Sequence, residues 1–298
     1  MTNKLLMIRP CCFGFNPQTA VNNAFQVATG EDATLVQDKA LAEFDRYVAL
    51  LRKHDIDVIV IQDTPEPHTP DSIFPNNWIS FHPGQLAVLY PMYAPNRRLE
   101  RKKSVFQAIQ EHAPRIRWID MSPRERENRF LEGTGSMIFD RENNRAYACR
   151  SPRTDEGLFR DICDTLGYQA ICFDALDKGS AIYHTNVMMC MARNYVVICL
   201  ESIPSESDRQ SLLDIFKQDD KKVVEITAEQ MNHFAGNMFQ VFSRKKEPFL
   251  VMSKRAYKVL TPSQRKVLRS FNRLITPELD TIETHGGGSA RCMLAEVV

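Results

Sequence analysis

The sequence has almost no excess of either charge. Its 38 lysines and arginines stand against 37 aspartates and glutamates, which leaves a net charge of +1 at pH 7. Proteins that bind nucleic acid usually carry a marked basic excess, so nucleic acid is not expected as a partner. The basic residues at 97–98 and 101–103 are interpreted as a solvated surface.

Long hydrophobic runs are also missing. No apolar stretch reaches the 18 residues of a membrane-spanning helix, and the apolar run near the N-terminus is too short for a signal peptide. Hydrophobic residues make up 43% and charged residues 25% of the 298 positions, as in globular proteins. We therefore expect a cytoplasmic protein without a membrane partner.

The eight cysteines lack metal-binding spacing. None forms CxxC, and no two histidines are spaced as HxxxH, so no metal site is predicted. Cysteines of a cytoplasmic protein are expected to be free thiols, and most of these lie in apolar runs. GxSxG is absent and GTGS at 133–136 lacks GxGxxG spacing, so neither a serine hydrolase nor a nucleotide cofactor is indicated.

The sequence does contain a repeat, in which the order of predicted helices and strands recurs although the residues themselves differ. Five segments have helical periodicity, and in the first of them Leu41, Phe44, Val48 and Leu51 share one face. A short strand-like run follows each helix, and hairpin-like pairs of apolar runs precede the second to fifth. The predicted helices are 37–54, 97–113, 155–167, 205–218 and 262–275. The predicted strands after them begin at 57, 115, 169, 222 and 281, the last being TIETH.

One polar residue precedes each hairpin. These residues are Asn77, Glu132, His184, Asn237 and Cys292, with separations of 55, 52, 53 and 55 residues. Stacked repeats must bury their open ends, and closing the row into a ring removes those ends. The first strand KLLMI and the last run RCMLAEV then share one unit. We therefore predict a single α/β domain over residues 1–298, a five-bladed propeller of ββαβ units with these side chains converging on its axis.

The converging residue types suit covalent catalysis. Cysteine is nucleophilic as the thiolate, and His184 can exchange protons with Cys292 as a general acid and base. The triple glycine before Cys292 allows close backbone approach at Gly287 and Gly288. A carboxylate such as Glu132 suits a planar substrate with N–H donors.

At this point the chain resembles the guanidine-modifying enzymes of the pentein fold, which include dimethylarginine dimethylaminohydrolases, arginine deiminases and amidinotransferases. The motifs that carry the resemblance span nearly the whole chain, and together they look most like the bacterial citrulline utilisation hydrolases. They are DSIFPNNW at 71–78, LEGTGS at 131–136, SPRT at 151–154, YHTN at 183–186 and GGGSARCM at 286–293.

The resemblance implies a role for each matching residue. Cys292 would attack the guanidino or ureido carbon, His184 would protonate the leaving amine and then activate water, and Glu132 would bind substrate nitrogens. Arg153 matches the position that holds a substrate α-carboxylate. Asp71 matches an acidic residue of the substrate-binding loop. No cofactor is implied, and the expected partner is a small amino-acid substrate.

One departure from the family pattern concerns the substrate. Dimethylargininases and deiminases end the F-x-x-D motif with aspartate, whereas FPNN places Asn77 there. An amide has the same shape without the charge and offers a donor, which suits a neutral ureido oxygen. Asn186, where deiminases have aspartate, points the same way. The sequence therefore favours hydrolysis of citrulline to ornithine, ammonia and carbon dioxide, with an arginine derivative as the other possible substrate.

Several alternatives stay open at this point. The function alternatives are an amidinotransferase with arginine as donor and a non-catalytic propeller that binds a partner. Arg153 is nearly as well explained as a surface charge paired with Asp155 or Glu156, and Asp71 as a turn cap. No chemistry is predicted for Asn237. The segment 13–26 is interpreted either as a cover over the pocket or as a static surface loop.

Overall fold

The computed structural model describes residues 4–297. Short strands and helices alternate along this range, as the sequence predicts. The strands are β1 (Lys4–Arg9), β2 (Asp57–Gln62), β3 (Ile79–His82), β4 (Leu86–Leu89), β5 (Arg117–Asp120), β6 (Ile138–Asp140), β7 (Arg145–Cys149), β8 (Gln169–Phe173), β9 (Leu176–Asp177), β10 (Ser180–Ala181), β11 (Met189–Met191), β12 (Tyr195–Ile198), β13 (Lys222–Glu225), β14 (Phe239–Phe242), β15 (Pro248–Val251), β16 (Arg273–Ile275) and β17 (Ala295–Val297).

The helices connect these strands. They are α1 (Pro17–Ala20), α2 (Ala33–Lys53), α3 (Pro95–Arg98), α4 (Lys103–His112), α5 (Gly133–Ser136), α6 (Glu156–Leu166), α7 (Thr185–Met188), α8 (Glu206–Gln218), α9 (Ala228–Met231), α10 (Lys254–Val259), α11 (Pro262–Phe271) and α12 (Asp280–Gly286). Three 3-10 turns cover Pro75–Asn77, Ser122–Glu127 and Leu200–Ser202.

The three-stranded sheets share one strand order. In each, the first two members are antiparallel, and a helical connection leads from the middle strand to a third strand that lies parallel to it. Parallel neighbours need such a crossover. Within residues 4–297 these sheets are β17-β1-β2, β3-β4-β5, β6-β7-β8, β11-β12-β13 and β14-β15-β16. The predicted mixed α/β class is confirmed, and the ribbon β9-β10 was not predicted.

The first long helix shows how the sequence sets these elements. The side chain of Asp32 accepts hydrogen bonds from the backbone N–H groups of Thr34 and Leu35, which caps α2 and stabilises it by about 1 kcal/mol. On its predicted apolar face, Phe44 and Leu51 are fully buried, and they pack in one cluster with strands of two sheets.

The prediction for residues 281–285 was wrong, because TIETH lies in helix α12 and not in a strand. The Glu43 carboxylate, on α2, accepts from the backbone N–H groups of Thr281 at 2.8 Å and Ile282 at 3.0 Å. These distant contacts satisfy donors that a helix N-terminus leaves free. The strand of this unit is β16, which was predicted as the end of helix 262–275; that helix ends at Phe271.

Neighbouring sheets pack side by side. β17 contacts β3, β6 contacts β11, and β11 contacts β14, so the first strands of several sheets lie together. Each of the five predicted polar residues comes a few residues before one of these first strands. This placement brings the residues that precede the strands toward one region. Between residues 4 and 297, no helix is both long and apolar enough to cross a membrane.

Candidate active site

Most of the predicted site residues line one small cavity. It measures about 20 Å³, roughly the room for one water molecule. Its predicted members are Asp71, Asn77, Arg153, His184, Gly287, Gly288 and Cys292. Glu132 and Asn186 do not line it but contact residues that do.

His184 and Glu132 form a buried pair. Glu132 Oε2 lies 2.7 Å from His184 Nε2, and neither side chain is more than 4% exposed. Burial lowers the pKa of His184 to about 4 despite the carboxylate, so the imidazole is neutral at pH 7. Burial by itself would raise the pKa of Glu132, but Arg153 and His184 hold it below its usual value. The pair is a neutral imidazole hydrogen-bonded to a carboxylate.

Arg153 is buried and not a surface charge. Its guanidinium is 3.4 Å from Glu132 Oε2, donates from Nη2 to the carbonyl of Thr19 at 2.8 Å, and donates from Nε to Asn22 Oδ1 at 2.8 Å. It also lies over the ring of Tyr183, 4.8 Å from the centroid. The alternative in which Arg153 pairs with Asp155 or Glu156 is wrong. Those acids pair with Arg129, and with Arg150 and Arg160.

Cys292 follows a turn that glycine makes possible. Gly287 has a left-handed φ of +62°, and a Cβ at Gly288 would lie 2.8 Å from the ring of Phe74. The Cys292 sulfur is 3.2 Å from Asn237 Nδ2 and 3.6 Å from Asn186 Nδ2. Burial raises the pKa of the Cys292 thiol, while these donors and Arg291 oppose the rise. The resting site therefore holds a thiol and a neutral imidazole.

The carboxamide of Asn77 has a fixed orientation. Arg97 Nη1 donates to Asn77 Oδ1 at 2.7 Å, so Nδ2 points away from the arginine. Asn77 Nδ2 is buried and has no hydrogen-bond partner. Gly135 lies against it: a Cβ there would be 2.4 Å from Asn77 Nδ2 and 2.8 Å from His184 Nδ1. A donor without a partner therefore lies beside the histidine.

Two further predicted site residues, Asp71 and Asn186, hold buried acceptors without partners. Asp71 Oδ2 accepts from Asn16 Nδ2 at 2.7 Å and from Thr19 Oγ1 at 3.1 Å, but Asp71 Oδ1 accepts nothing. Asn186 Oδ1 is likewise buried and unpaired. Buried polar atoms usually find partners, so such atoms beside a cavity suit a ligand with N–H groups.

The segment around α1 covers the cavity. Asn23 Nδ2 donates to the carbonyl of Gly287 at 3.4 Å, and Gln26 Nε2 donates to that of Gly286 at 3.0 Å. Together with the contacts that Thr19 and Asn22 make to Arg153, these bonds favour the interpretation of this segment as a cover.

Sequence reasoning missed two site residues. Arg97 was assigned to a solvated surface, which is wrong, because it is 3% exposed and pairs with Glu100 at 2.7 Å. Lys102 belongs to the same basic cluster but does not line the cavity; it is also buried and pairs with Asp63 at 2.8 Å. Asn237, to which no chemistry was given, contacts the Cys292 sulfur. Its place in the 53-residue period was the available signal.

The other cysteines lie outside the cavity. All eight are free thiols, and five of them besides Cys292 are buried or half-buried in hydrophobic clusters. Cys11 and Cys12 line a separate cavity of about 590 Å³. In the described part of the chain, no three His, Cys, Asp or Glu side chains are placed to hold a metal ion.

A family model described as N,N dimethylarginine dimethylhydrolase, eukaryotic, matches residues 9–298. No curated protein sequence gives a significant match.

Solved structures share the fold over nearly the whole chain. The N-terminal domain of ArgZ bound to substrate, an arginine dihydrolase from the ornithine-ammonia cycle in Cyanobacteria, has a TM-score of 0.75 at 17% identity, covering 99% of this chain and 98% of that one. AgrE with ornithine and NAD+ has a TM-score of 0.75 at 18% identity, covering 99% and 39%. A dimethylarginine dimethylaminohydrolase adduct with S-methyl-L-thiocitrulline has a TM-score of 0.67 at 16% identity, covering 99% and 100%.

Proposed function

The chain belongs to the N,N-dimethylarginine dimethylhydrolase family, eukaryotic type, and from this premise we propose that it is a cysteine-dependent hydrolase of a ureido group, with citrulline or a close relative as substrate. The resemblance to guanidine-modifying enzymes is confirmed by the family match. So is the expected enzyme class, a hydrolase of C–N bonds outside peptides.

The observation that carries the ureido proposal is the unpaired donor of Asn77. Asn77 Nδ2 is buried without a partner, and Arg97 prevents the amide from turning its oxygen to the cavity. A ureido oxygen would accept this hydrogen bond, whereas a guanidinium has donors alone and would leave Asn77 Nδ2 unsatisfied. An unsatisfied buried donor costs about 1–3 kcal/mol, which favours the ureido substrate.

The proposed reaction has two steps. His184 takes the thiol proton, Cys292 sulfur bonds to the ureido carbon, and the same proton goes to the departing nitrogen as ammonia leaves. The remaining S-thiocarbamate is attacked by water, with His184 again taking the proton, and the Cys292 thiol leaves. The resulting carbamic acid loses carbon dioxide to give ornithine. Glu132, bonded to His184 at 2.7 Å, stabilises the imidazolium that forms in each step.

The substrate tail is assigned to the other unpaired groups. The Arg153 guanidinium would bind an α-carboxylate by displacing the neutral contacts of Asn22 and Thr19, and Asp71 Oδ1 would accept from the α-ammonium group. A cavity that holds about one water cannot hold citrulline, so the covering segment has to move for substrate entry. The proposed ligand is therefore a small amino acid.

The family description also supports a second candidate, hydrolysis of a guanidino group. The same cysteine chemistry on arginine would pass through a thiouronium and give citrulline. An arginine dihydrolase, as ArgZ is described, acts on arginine. For the fold we propose that the five sheets close into a five-bladed α/β propeller, with residues 1–298 as one catalytic domain.

The deciding experiment compares ammonia release from citrulline and from arginine at equal concentrations, with ornithine and citrulline measured as products. We expect ornithine and ammonia from citrulline, and no release by Cys292→Ala. Arginine strongly preferred over citrulline would overturn the ureido proposal and leave guanidino hydrolysis. Transfer of an amidino group from arginine to added glycine or lysine would identify an amidinotransferase instead.

A further inference from the structure

Asn237 is the fifth residue of the 53-residue period and is 1% exposed. All the hydrogen-bonding groups of its side chain have partners. Its Nδ2 group donates to the Cys292 sulfur at 3.2 Å and to the carbonyl of Asn186 at 3.0 Å, and its Oδ1 accepts from the backbone N–H of Arg291 at 3.0 Å. The residue therefore joins the cysteine turn to helix α7, which begins directly after His184.

These partners allow one orientation of the amide. Turning it over would place Asn237 Oδ1 against the carbonyl of Asn186 and against the sulfur, and would set Nδ2 against the N–H of Arg291. The two backbone contacts would then join like groups, an acceptor with an acceptor and a donor with a donor. The Nδ2 donor of Asn237 therefore faces the sulfur in every state in which these two backbone groups keep their positions.

A buried sulfur needs such donors before it can carry charge. His184 is neutral until it takes the thiol proton, so the resting site has no imidazolium that would lower the pKa of the thiol, and burial favours the thiol over the anion. Hydrogen bonds to a charged group contribute about 1.5–3 kcal/mol, more than those to a neutral one. Among residues 4–297, the side-chain hydrogen-bond donors to this sulfur are Asn237 at 3.2 Å and Asn186 at the longer distance of 3.6 Å.

Resting on the proposed function of Cys292 as the nucleophile, we propose that Asn237 is a further catalytic residue, whose amide donates to the sulfur, stabilises the thiolate and directs it at the substrate carbon. The two ends of the Asn186 carboxamide then have different roles. Its Nδ2 supports the sulfur, and its unpaired Oδ1 is left for a substrate N–H.

The test measures the thiolate without substrate turnover. The rate of Cys292 alkylation by iodoacetamide is followed against pH by mass spectrometry in wild type, Asn237→Ala, Asn237→Asp and Asn232→Ala. Asn237→Asp keeps the shape but loses both donors and adds a negative charge. Asn232, whose side chain is 3.4 Å from Asp177, is the matched asparagine outside the site. Arg291, Tyr183 and Tyr47, the charged and titratable groups that interact electrostatically with Cys292, stay the same throughout, as does His184, which lines the same cavity.

We expect both Asn237 variants to shift the alkylation profile upward by about 1–2 pH units, a 10- to 100-fold slower reaction at pH 7. The kcat should fall by a similar factor with KM nearly unchanged, and Asn232→Ala should match wild type. A folded Asn237→Ala protein with the wild-type profile would overturn the proposal, because a merely structural asparagine would not move it. If Asn237→Ala does not fold, the shape-preserving Asn237→Asp decides.

The alkylation rates distinguish a failure of the proposed nucleophile Cys292 from a failure of the role proposed for Asn237. Ammonia release that persists in Cys292→Ala would refute the proposed nucleophile while leaving the alkylation result for Asn237 intact. Loss of turnover in Cys292→Ala together with an unmoved alkylation profile in Asn237→Asp would refute the role of Asn237 alone.

Discussion

Arg97 Nη1 donates to Asn77 Oδ1 at 2.7 Å, and this bond turns the amide donor of Asn77 toward the neighbourhood of His184. Arg97 is itself held by Glu100, at 2.7 Å from its Nε. The arginine therefore orients Asn77, because its bond to Oδ1 determines which end of the amide is left without a partner.

Asn77→Asp should move the substrate preference from citrulline toward arginine. The variant replaces a donor with an anion of the same shape, which repels a ureido oxygen and attracts a guanidinium. We expect kcat/KM for citrulline to fall 10- to 100-fold and that for arginine to rise. Asn77→Leu is the control for shape and should lower both. A ratio of the two kcat/KM values that stays at the wild-type level in Asn77→Asp would contradict the assignment of Asn77.

Covalent labelling should depend on Cys292 and His184 together. A haloacetamidine is expected to modify wild type at Cys292 and to lose this reaction in Cys292→Ala and in His184→Ala. Ammonia release should fall about 10²- to 10⁴-fold without the histidine, the range that a general acid–base contributes. Cys172→Ala, a half-buried cysteine outside the cavity, is the matched control. Modification of wild type at another cysteine, with full loss of activity, would redirect the search for the nucleophile.

The repeat could be found from sequence because each unit obeys local rules. Apolar runs in pairs, a helix with one apolar face and a parallel strand recur five times, and their order survives although the residues differ. The exception at TIETH shows the limit of such reasoning. The N-terminus of that helix is capped by Glu43, which is more than 200 residues away in sequence. No local sequence pattern predicts this contact.

The site was partly visible in the sequence for a similar reason. Residues of unusual type at even spacing pointed to Cys292, His184 and Glu132. Arg97 was misplaced, because a basic cluster on a short helix resembles a solvated surface until its buried partner Glu100 is known. Asn237 was passed over, because an asparagine has no chemistry of its own until the atom that it faces is known.

Gly135→Ala should disrupt the site more than the fold. The added Cβ would lie 2.4 Å from Asn77 Nδ2 and 2.8 Å from His184, so the amide and the imidazole must move apart. Misplacing reacting groups by about 1 Å commonly costs on the order of 10²-fold in rate, and we expect kcat to fall by at least that factor. The control is Gly157→Ala on α6, where the nearest atom belongs to the far end of the long, half-buried Arg129 side chain and not to a site residue. Equal activity in the two variants would contradict the tight packing of Gly135.

Arg153→Gln should discriminate between substrates by their tails. If the guanidinium binds an α-carboxylate, its loss raises KM for citrulline by about 10- to 100-fold, the value of one charge-assisted interaction. Carbamoyl-putrescine has the ureido group without the carboxylate and serves as the internal control for any damage to Glu132, which lies 3.4 Å away. A KM that rises equally for both compounds would remove Arg153 from tail recognition and leave it as a support for Glu132.

Acid should destabilise the fold through two buried histidines. Burial lowers the pKa of His82 to about 3 and that of His184 to about 4, whereas both are near 6.5 in the unfolded chain. Between pH 6.5 and about 4 the unfolded state therefore binds protons that the folded state does not, so the free energy of unfolding falls as pH falls. Each histidine contributes at most about 1.4 kcal/mol per pH unit, and its contribution ends below its folded pKa.

The effect of a buried histidine on acid stability can be measured at His82 without disturbing the candidate site. His82 contacts Ser80 at 2.7 Å in β3 and does not line the cavity. His82→Gln removes its proton uptake, so urea unfolding between pH 7 and 4.5 should show a shallower loss of stability than in wild type. The readout is the slope of the free energy of unfolding against pH. The substitution can also change the free energy of unfolding at every pH, because it removes packing against Phe139. Parallel slopes for wild type and variant would mean that His82 titrates alike in the folded and unfolded states, and that its burial does not govern its charge.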